Sequence, residues 1–305
     1  MVNTLESLDL VSNGFALASG PHRVGRLVPT DPRRSRGELW EQYQAQGYLW
    51  LKGILDRQEV LQFRGRFFAA YVAAGLPLIV PGSDPTEAIF DDSADPADPG
   101  LYKKTLMEVV RWADYEAFCL MAPMRRFYET FLQGPTYLHK RKIIRYGKPN
   151  DRQCTGAHYD LIYLRGGTDR ICTSWIPIGD IPVECGGLVY LEGADAWGRR
   201  KEAEFTLQNR DLPPEQRISV YNRNMTTGWL SNNLAVMADD LNTCWLVADY
   251  EAGDMVVHSP YMVHASTMNV DPQRRIRLST DIRYQRVRDE IDARWANHWS
   301  LDDML

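Results

Sequence analysis

The stretch Thr155-Gly156-Ala157-His158-Tyr159-Asp160 decides how the rest of the chain is read. His158 and Asp160 stand two residues apart. In a strand, residues i and i+2 point to one face, so an imidazole and a carboxylate here can grip one metal ion. A third ligand completes a two-histidine, one-carboxylate facial triad, which leaves coordination positions open and suits non-haem Fe(II). The candidate is His264, far downstream in Gly253-Asp254-Met255-Val256-Val257-His258-Ser259-Pro260-Tyr261-Met262-Val263-His264. His258, in the same run, competes with it. The spacing alone is equally what a strand with an exposed histidine and an edge aspartate would show. Ligands so far apart in sequence need a fold that brings two distant strands to one opening, and a jelly roll does this.

A chain of 305 residues is long enough to bury a substantial core. Its net charge of −5 argues against nucleic acid as the main partner. The five cysteines are odd in number and form no C-x-x-C pair, which speaks against a zinc ribbon, a dithiol redox site and a disulfide framework. No charged start followed by an apolar run opens the chain, and no apolar run reaches the length that spans a bilayer. The expectation is a soluble protein of the cytoplasm, with no membrane partner and with a homodimer left open. Tryptophan and tyrosine are frequent enough both to fill a core and to line a small-molecule pocket.

The chain reads as a single domain over residues 1–305. Residues 1–34, broken by Pro21, Pro29 and Pro32, read as an extended arm. Residues 35–135 read as helical support. Ser35 with Glu38, and Asp56 with Glu59, have the spacing of capping boxes, and Gly47 has the place of a helix stop. A further helical pattern over 102–133 is divided or kinked by Pro123. From Gly134-Pro135 onward short β-like runs follow, near Lys140–Tyr146, Ala157–Tyr163, Ile171–Ile178, Gly187–Leu191, Met255–His258, His264–Met268 and Arg275–Arg283. This predicts a mainly β fold with flanking helices, its jelly-roll core over 136–287 and a tail over 288–305. Residues 199–252 interrupt the core as a long polar insertion. That is the character of a functional lid or of an ordinary surface excursion. Tyr221, Trp229 and Trp245 within it could cover an organic substrate.

Beyond His264, the run Arg275-Ile276-Arg277-Leu278-Ser279 alternates like a strand. Arg275, Arg277 and Ser279 would share one face. An arginine buried near a metal needs an anion, and a guanidinium can hold a carboxylate through two parallel hydrogen bonds. The same arginines could instead lie solvated on an edge strand. Arg145, in Ile144-Arg145-Tyr146, could point into the cavity and pair with an acidic group of a substrate, or could face outward.

His158-x-Asp160, Trp175-Ile176-Pro177, Gly186-Gly187-Leu188, Gly253-Asp254, His264 and an arginine eleven residues later together resemble the phytanoyl-CoA dioxygenase family. The resemblance covers residues 136–287, with a weaker echo in the helices before it. It implies a double-stranded β-helix (a cupin-like jelly roll) and an Fe(II)- and 2-oxoglutarate-dependent dioxygenase. By that resemblance His158, Asp160 and His264 would be the iron ligands. Arg275 would hold the far carboxylate of 2-oxoglutarate and Trp175 would line its site, with Lys142 and Thr173 also facing it. The spacing to Arg275 and the following Ala265-Ser266 favour His264 over His258, which reads as a supporting or core histidine. Where many members have Gly-Ser-His after the central strand, this chain has Gly193-Ala194-Asp195. A carboxylate at Asp160 favours hydroxylation over halogenation, because in the related halogenases a small residue stands there. The implied partners are molecular oxygen and a small organic metabolite, with a natural-product intermediate preferred. The alternatives are a non-catalytic jelly-roll binding protein and a cupin-like enzyme using another metal.

Overall fold

The Ser35 hydroxyl accepts the backbone N–H of Glu38, and the Glu38 carboxylate accepts the N–H of Ser35 at 2.9 Å. This reciprocal box starts α1 (Arg36–Gln46), and Gly47 ends it in the left-handed conformation. Removing the cap should cost about 0.5–2 kcal/mol. Thermal unfolding of Ser35→Ala should fall by that amount, and an unchanged transition would show that tertiary packing alone fixes this helix start. The structure is a computed structural model that describes residues 9–17, 23–76, 78–93, 99–213, 215–218 and 229–300.

The expected N-terminal arm contains strands. β1 (Leu10–Ser12) and β2 (Phe15–Leu17) pair as a hairpin, followed by β3 (Val24–Arg26) and β4 (Pro29–Thr30). After α1 comes β5 (Tyr48–Leu51), then α2 (Arg57–Ala73), α3 (Pro99–Val109), α4 (Ala113–Cys119) and α5 (Ala122–Phe131). The single helical pattern expected over 102–133 is thus three helices. Pro123 sits in the first turn of the last one, where its missing N–H costs nothing. The strands β6 (Thr136–Leu138) and β7 (Ile143–Gly147) follow, then a short α6 (Leu161–Leu164), β8 (Cys172–Pro177), β9 (Leu188–Leu191), α7 (Ala194–Gln208) and α8 (Leu234–Asp240). The remaining strands are β10 (Trp245–Val247), β11 (Met255–His258), β12 (His264–Ser266) and β13 (Arg277–Arg286).

Apart from the β1–β2 hairpin, which is a sheet of its own, these strands form the two sheets of a jelly roll. The larger has the order β4-β5-β11-β8-β13-β6, with β7 also pairing to β13, and the smaller has the order β12-β9-β10-β3. Both sheets therefore take strands from residues 24–51 as well as from the expected core. The helices cover the outer face of the larger sheet. Phe63, Phe67, Phe68, Tyr115, Tyr128 and Phe131 are buried there against Ile144, Ile176, Leu278 and Ile282. Each such side chain contributes about 1.5–3 kcal/mol on burial. Buried Arg64 ties α2 to the strands by donating to the carbonyls of Thr86, Glu87, Ile178 and Ile276.

Residue parity fixes what faces inward. On β8 the even positions point to the helices: Ser174 meets the Tyr128 hydroxyl at 2.5 Å and Cys172 meets that of Tyr43 at 3.4 Å. The odd positions Thr173 and Trp175 then face the space between the sheets. Their cross-strand partners are Arg283 and Asp281 on β13 and His258 and Val256 on β11. Ser279 on the same face of β13 pairs with Arg145 of β7. One sheet face thus carries a row of polar groups, as a site would require.

The Gly253-Asp254 turn locks this arrangement. The buried Asp254 carboxylate accepts Trp50 Nε1 and Gly53 N at 3.0 Å and Glu251 N at 3.1 Å, which binds β11 to β5. Gly186 is required by close packing and by its φ of 73°, because a Cβ there would run into the Thr267 carbonyl oxygen. Among the described residues, no helix is long and apolar enough to cross a membrane.

Candidate metal centre and active site

His158 and Asp160 do not lie on a regular strand. Ala157 and His158 form isolated bridges to Ser231 and His264, and Asp160 is the cap residue just before the helical turn α6. The expected strand over Ala157–Tyr163 is therefore only one or two rungs long. His158 and Asp160 are therefore not the i and i+2 residues of one strand face. The two side chains converge because the chain turns into α6 immediately after His158. His158 and His264 exchange backbone hydrogen bonds of 3.0 and 2.9 Å, which sets their rings side by side, with centroids 4.2 Å apart.

Each histidine presents one particular nitrogen. Nδ1 of His158 lies 2.9 Å from the Gly156 carbonyl, and Nδ1 of His264 lies 2.9 Å from that of Met262. A carbonyl only accepts, so Nδ1 carries the proton and Nε2 keeps its lone pair. Both Nε2 atoms point at Asp160 Oδ1, at 3.8 and 3.7 Å. The three ligand atoms lie within 4.8 Å of one another, and all three residues are buried. Burial lowers the pKa of both rings, so they are neutral donors at neutral pH. Two imidazole nitrogens and a carboxylate oxygen, each held from behind, fit a divalent first-row metal with positions left open.

The second oxygen of Asp160 is fully engaged. Oδ2 accepts the Thr173 hydroxyl and lies 3.2 Å from Arg283 Nη2 and 3.4 Å from His258 Nε2. Burial opposes ionisation of this carboxyl, but Arg283, then His258 and His264, outweigh it and hold its pKa well below the usual range. The Tyr190 hydroxyl orients His258 through Nδ1 at 2.8 Å. His258 therefore supports the carboxylate, and it falls outside the cluster of ligand atoms. Such backing shells fix ligand orientation.

The chamber beside the triad measures about 40 Å³ and is lined in part by Arg145, Trp175, Ser266, Arg277, Ser279 and Arg283. Trp175 borders the chamber; Arg145, for which the sequence leaves inward and outward positions open, borders it too but is largely exposed and loosely paired with Asp281 at 3.6 Å. Thr173 faces inward but is occupied with Asp160. Two expectations need correction. Arg275 is outside the chamber, because Arg274 adopts a left-handed φ of 60° and breaks the alternation before β13 begins. Its guanidinium turns back to Asp271, with contacts of 2.8 and 3.1 Å. Arg277, two residues on, borders the chamber in its place and donates to the Gly186 carbonyl. Lys142 has the outward parity of β7. It is buried over the Tyr115 ring and paired with Glu116 of α4.

The insertion at 199–252 holds regular structure, namely most of α7, all of α8 and β10. Trp245 is core, its Nε1 donating to the Leu234 carbonyl at 2.7 Å. Trp229 lies against the site, its ring 5.3 Å from that of His158. Gly156 permits this approach, since a Cβ there would collide with Trp229 and Asn232. Tyr221 lies outside the described residues. Sequence reasoning missed Asp281 and Arg283, although extending the alternation Arg277, Ser279 by two more steps reaches both.

The phytanoyl-CoA dioxygenase family model matches residues 43–276. A curated relative, the 1-deoxypentalenic acid 11-beta-hydroxylase of Streptomyces exfoliatus, is 23% identical over 254 residues, which is 80% of this chain and 78% of that one. Solved structures share the fold. The non-haem alpha-ketoglutarate-dependent carbocyclase SnoK from nogalamycin biosynthesis has a TM-score of 0.53 at 17% identity, covering 91% of this chain and 92% of its own. AviO1 from Streptomyces viridochromogenes Tue57 has a TM-score of 0.51 at 15% identity, covering 84% and 96%. The epimerase SnoN, solved with Fe3+, alpha-ketoglutarate and nogalamycin RO, has a TM-score of 0.50 at 16% identity, covering 84% and 85%. With most of its length matched by the family model, this chain belongs to the phytanoyl-CoA dioxygenase family and is an oxidoreductase.

Proposed function

We propose that this member of an Fe(II)/2-oxoglutarate-dependent family oxidises an unactivated C–H bond of a small organic metabolite, in the simplest case by hydroxylation. The carrying observation is the convergence of His158 Nε2, His264 Nε2 and Asp160 Oδ1, with the far side of each group already bonded. Fe(II) held there with 2-oxoglutarate supplies oxidative decarboxylation: molecular oxygen and 2-oxoglutarate give succinate and carbon dioxide, and one oxygen atom goes to the substrate. The relative from Streptomyces exfoliatus is named as a hydroxylase, and SnoK and SnoN are described as acting in nogalamycin biosynthesis. These neighbours favour a natural-product intermediate as substrate.

The chain's own groups then have distinct tasks. Arg277 is partly buried at the chamber wall and holds the far carboxylate of 2-oxoglutarate with Ser279 beside it. Trp175 walls that side. Thr173, Arg283 and His258 keep Asp160 ionised and fixed in orientation. Trp229 covers His158 and excludes water from the reacting face. A screen of candidate metabolites for succinate release, with product mass read in parallel, tests the proposal. Succinate should appear in step with a product carrying one more oxygen, and only with 2-oxoglutarate present. Turnover without 2-oxoglutarate, or binding without any succinate, would overturn it.

Within this function, residues 199–252 act as a partial lid through Trp229. Trp229→Ala should leave 2-oxoglutarate binding near native but uncouple its consumption, so that more succinate forms per oxidised product. An unchanged ratio would reduce the segment to a surface insertion.

A further inference from the structure

Arg283 is nearly inaccessible to solvent, yet only one of its nitrogens is engaged. Nη2 meets Asp160 Oδ2 at 3.2 Å, while Nε and Nη1 are buried with no acceptor among the described residues. The Trp295 ring lies 4.9 Å from the guanidinium carbon and covers one face. The residue borders the metal chamber. Buried guanidinium donors normally find partners, so two orphans beside a ligand chamber mark the place of an acceptor that arrives with a ligand.

The charge around the chamber indicates what kind of ligand. Three arginines, Arg145, Arg277 and Arg283, face two carboxylates, Asp160 and Asp281. A divalent metal and a dianionic co-substrate cancel each other, so one positive charge stays uncompensated. Arg277 is taken by the co-substrate, and it lies six residues from Arg283 along the inward face of β13. The two guanidinia therefore stand well apart along that face, and the co-substrate's carboxylate on Arg277 leaves Arg283 free for another acceptor. We infer that the substrate is a monoanion whose carboxylate is received by Arg283, which makes this residue specificity-determining as well as a support for Asp160. This rests on the function proposed above and adds the substrate's charge to it.

The test uses the full-length protein loaded with Mn(II) and 2-oxoglutarate, with cyclohexanecarboxylate and its neutral match cyclohexanecarboxamide as probes. Calorimetry first measures Mn(II) and 2-oxoglutarate binding. If either fails in the native protein, the functional reading falls and this inference with it. Paramagnetic relaxation of the probe protons by Mn(II) then reports binding beside the metal. The acid should be relaxed about tenfold more strongly than the amide, in keeping with a charge-assisted pair. Arg283→Gln should erase the preference, with Mn(II) and 2-oxoglutarate affinity measured on the same samples because Arg283 also backs Asp160. Should that variant lose Mn(II), Arg283→Lys keeps the charge beside Asp160 without the Nε donor and should lose most of the preference. Equal relaxation of acid and amide in the native protein would overturn the inference alone. So would an acid preference that survives in whichever variant retains Mn(II).

Discussion

Asp160→Asn loses metal retention and turnover while the fold persists. The amide still offers an oxygen to Thr173 and Arg283, so the packing around it is kept. What it removes is the only anionic ligand, and two neutral imidazoles hold a divalent metal poorly. Loss of a partner behind a ligand typically lowers affinity about 10–100-fold, and loss of the ligand charge itself should exceed that. Anaerobic titration with Fe(II), with succinate release measured on the same samples, reads the effect. Near-native turnover of Asp160→Asn would remove the carboxylate from the metal's coordination.

Arg277→Leu raises the 2-oxoglutarate requirement by the equivalent of about 2–5 kcal/mol, the usual cost of breaking a buried charge-assisted pair. Arg275→Leu leaves that requirement near native, because its partner is Asp271 and it borders no part of the chamber. Its cost appears in stability, through the loss of an ion pair that is a quarter exposed on the arginine side. Binding of 2-oxoglutarate to the Mn(II)-loaded variants measures both. The reverse order would return the anchor to Arg275.

These two residues also show where the sequence could be read and where it could not. The His158-x-Asp160 pair with His264 is a chemical pattern, and it survives although the local structure is a bridge running into a helical turn. Alternation places Arg275 and Arg277 on one face, and the family resemblance, an arginine eleven residues after His264, selects Arg275. A single left-handed residue, Arg274, ends the strand earlier and moves the inward arginine by two positions. Nothing in the composition of Gln273-Arg274-Arg275 announces that break. Lys142 failed for a related reason: parity along β7 depends on register with β13, and register is a tertiary property. The capping residues Ser35 and Asp56 were legible because their partners lie three residues away. Arg283 was legible in principle, since it continues the inward face of Arg277, Ser279 and Asp281. Its importance comes from Asp160, which lies 123 positions away in sequence.

The most direct measurement is anomalous scattering at the iron edge from crystals grown anaerobically with Fe(II) and 2-oxoglutarate. The account predicts one strong peak within bonding distance of His158 Nε2, Asp160 Oδ1 and His264 Nε2, with the far carboxylate of 2-oxoglutarate on Arg277. A peak ligated by His258 in place of His264, or no iron between these three side chains, would contradict it.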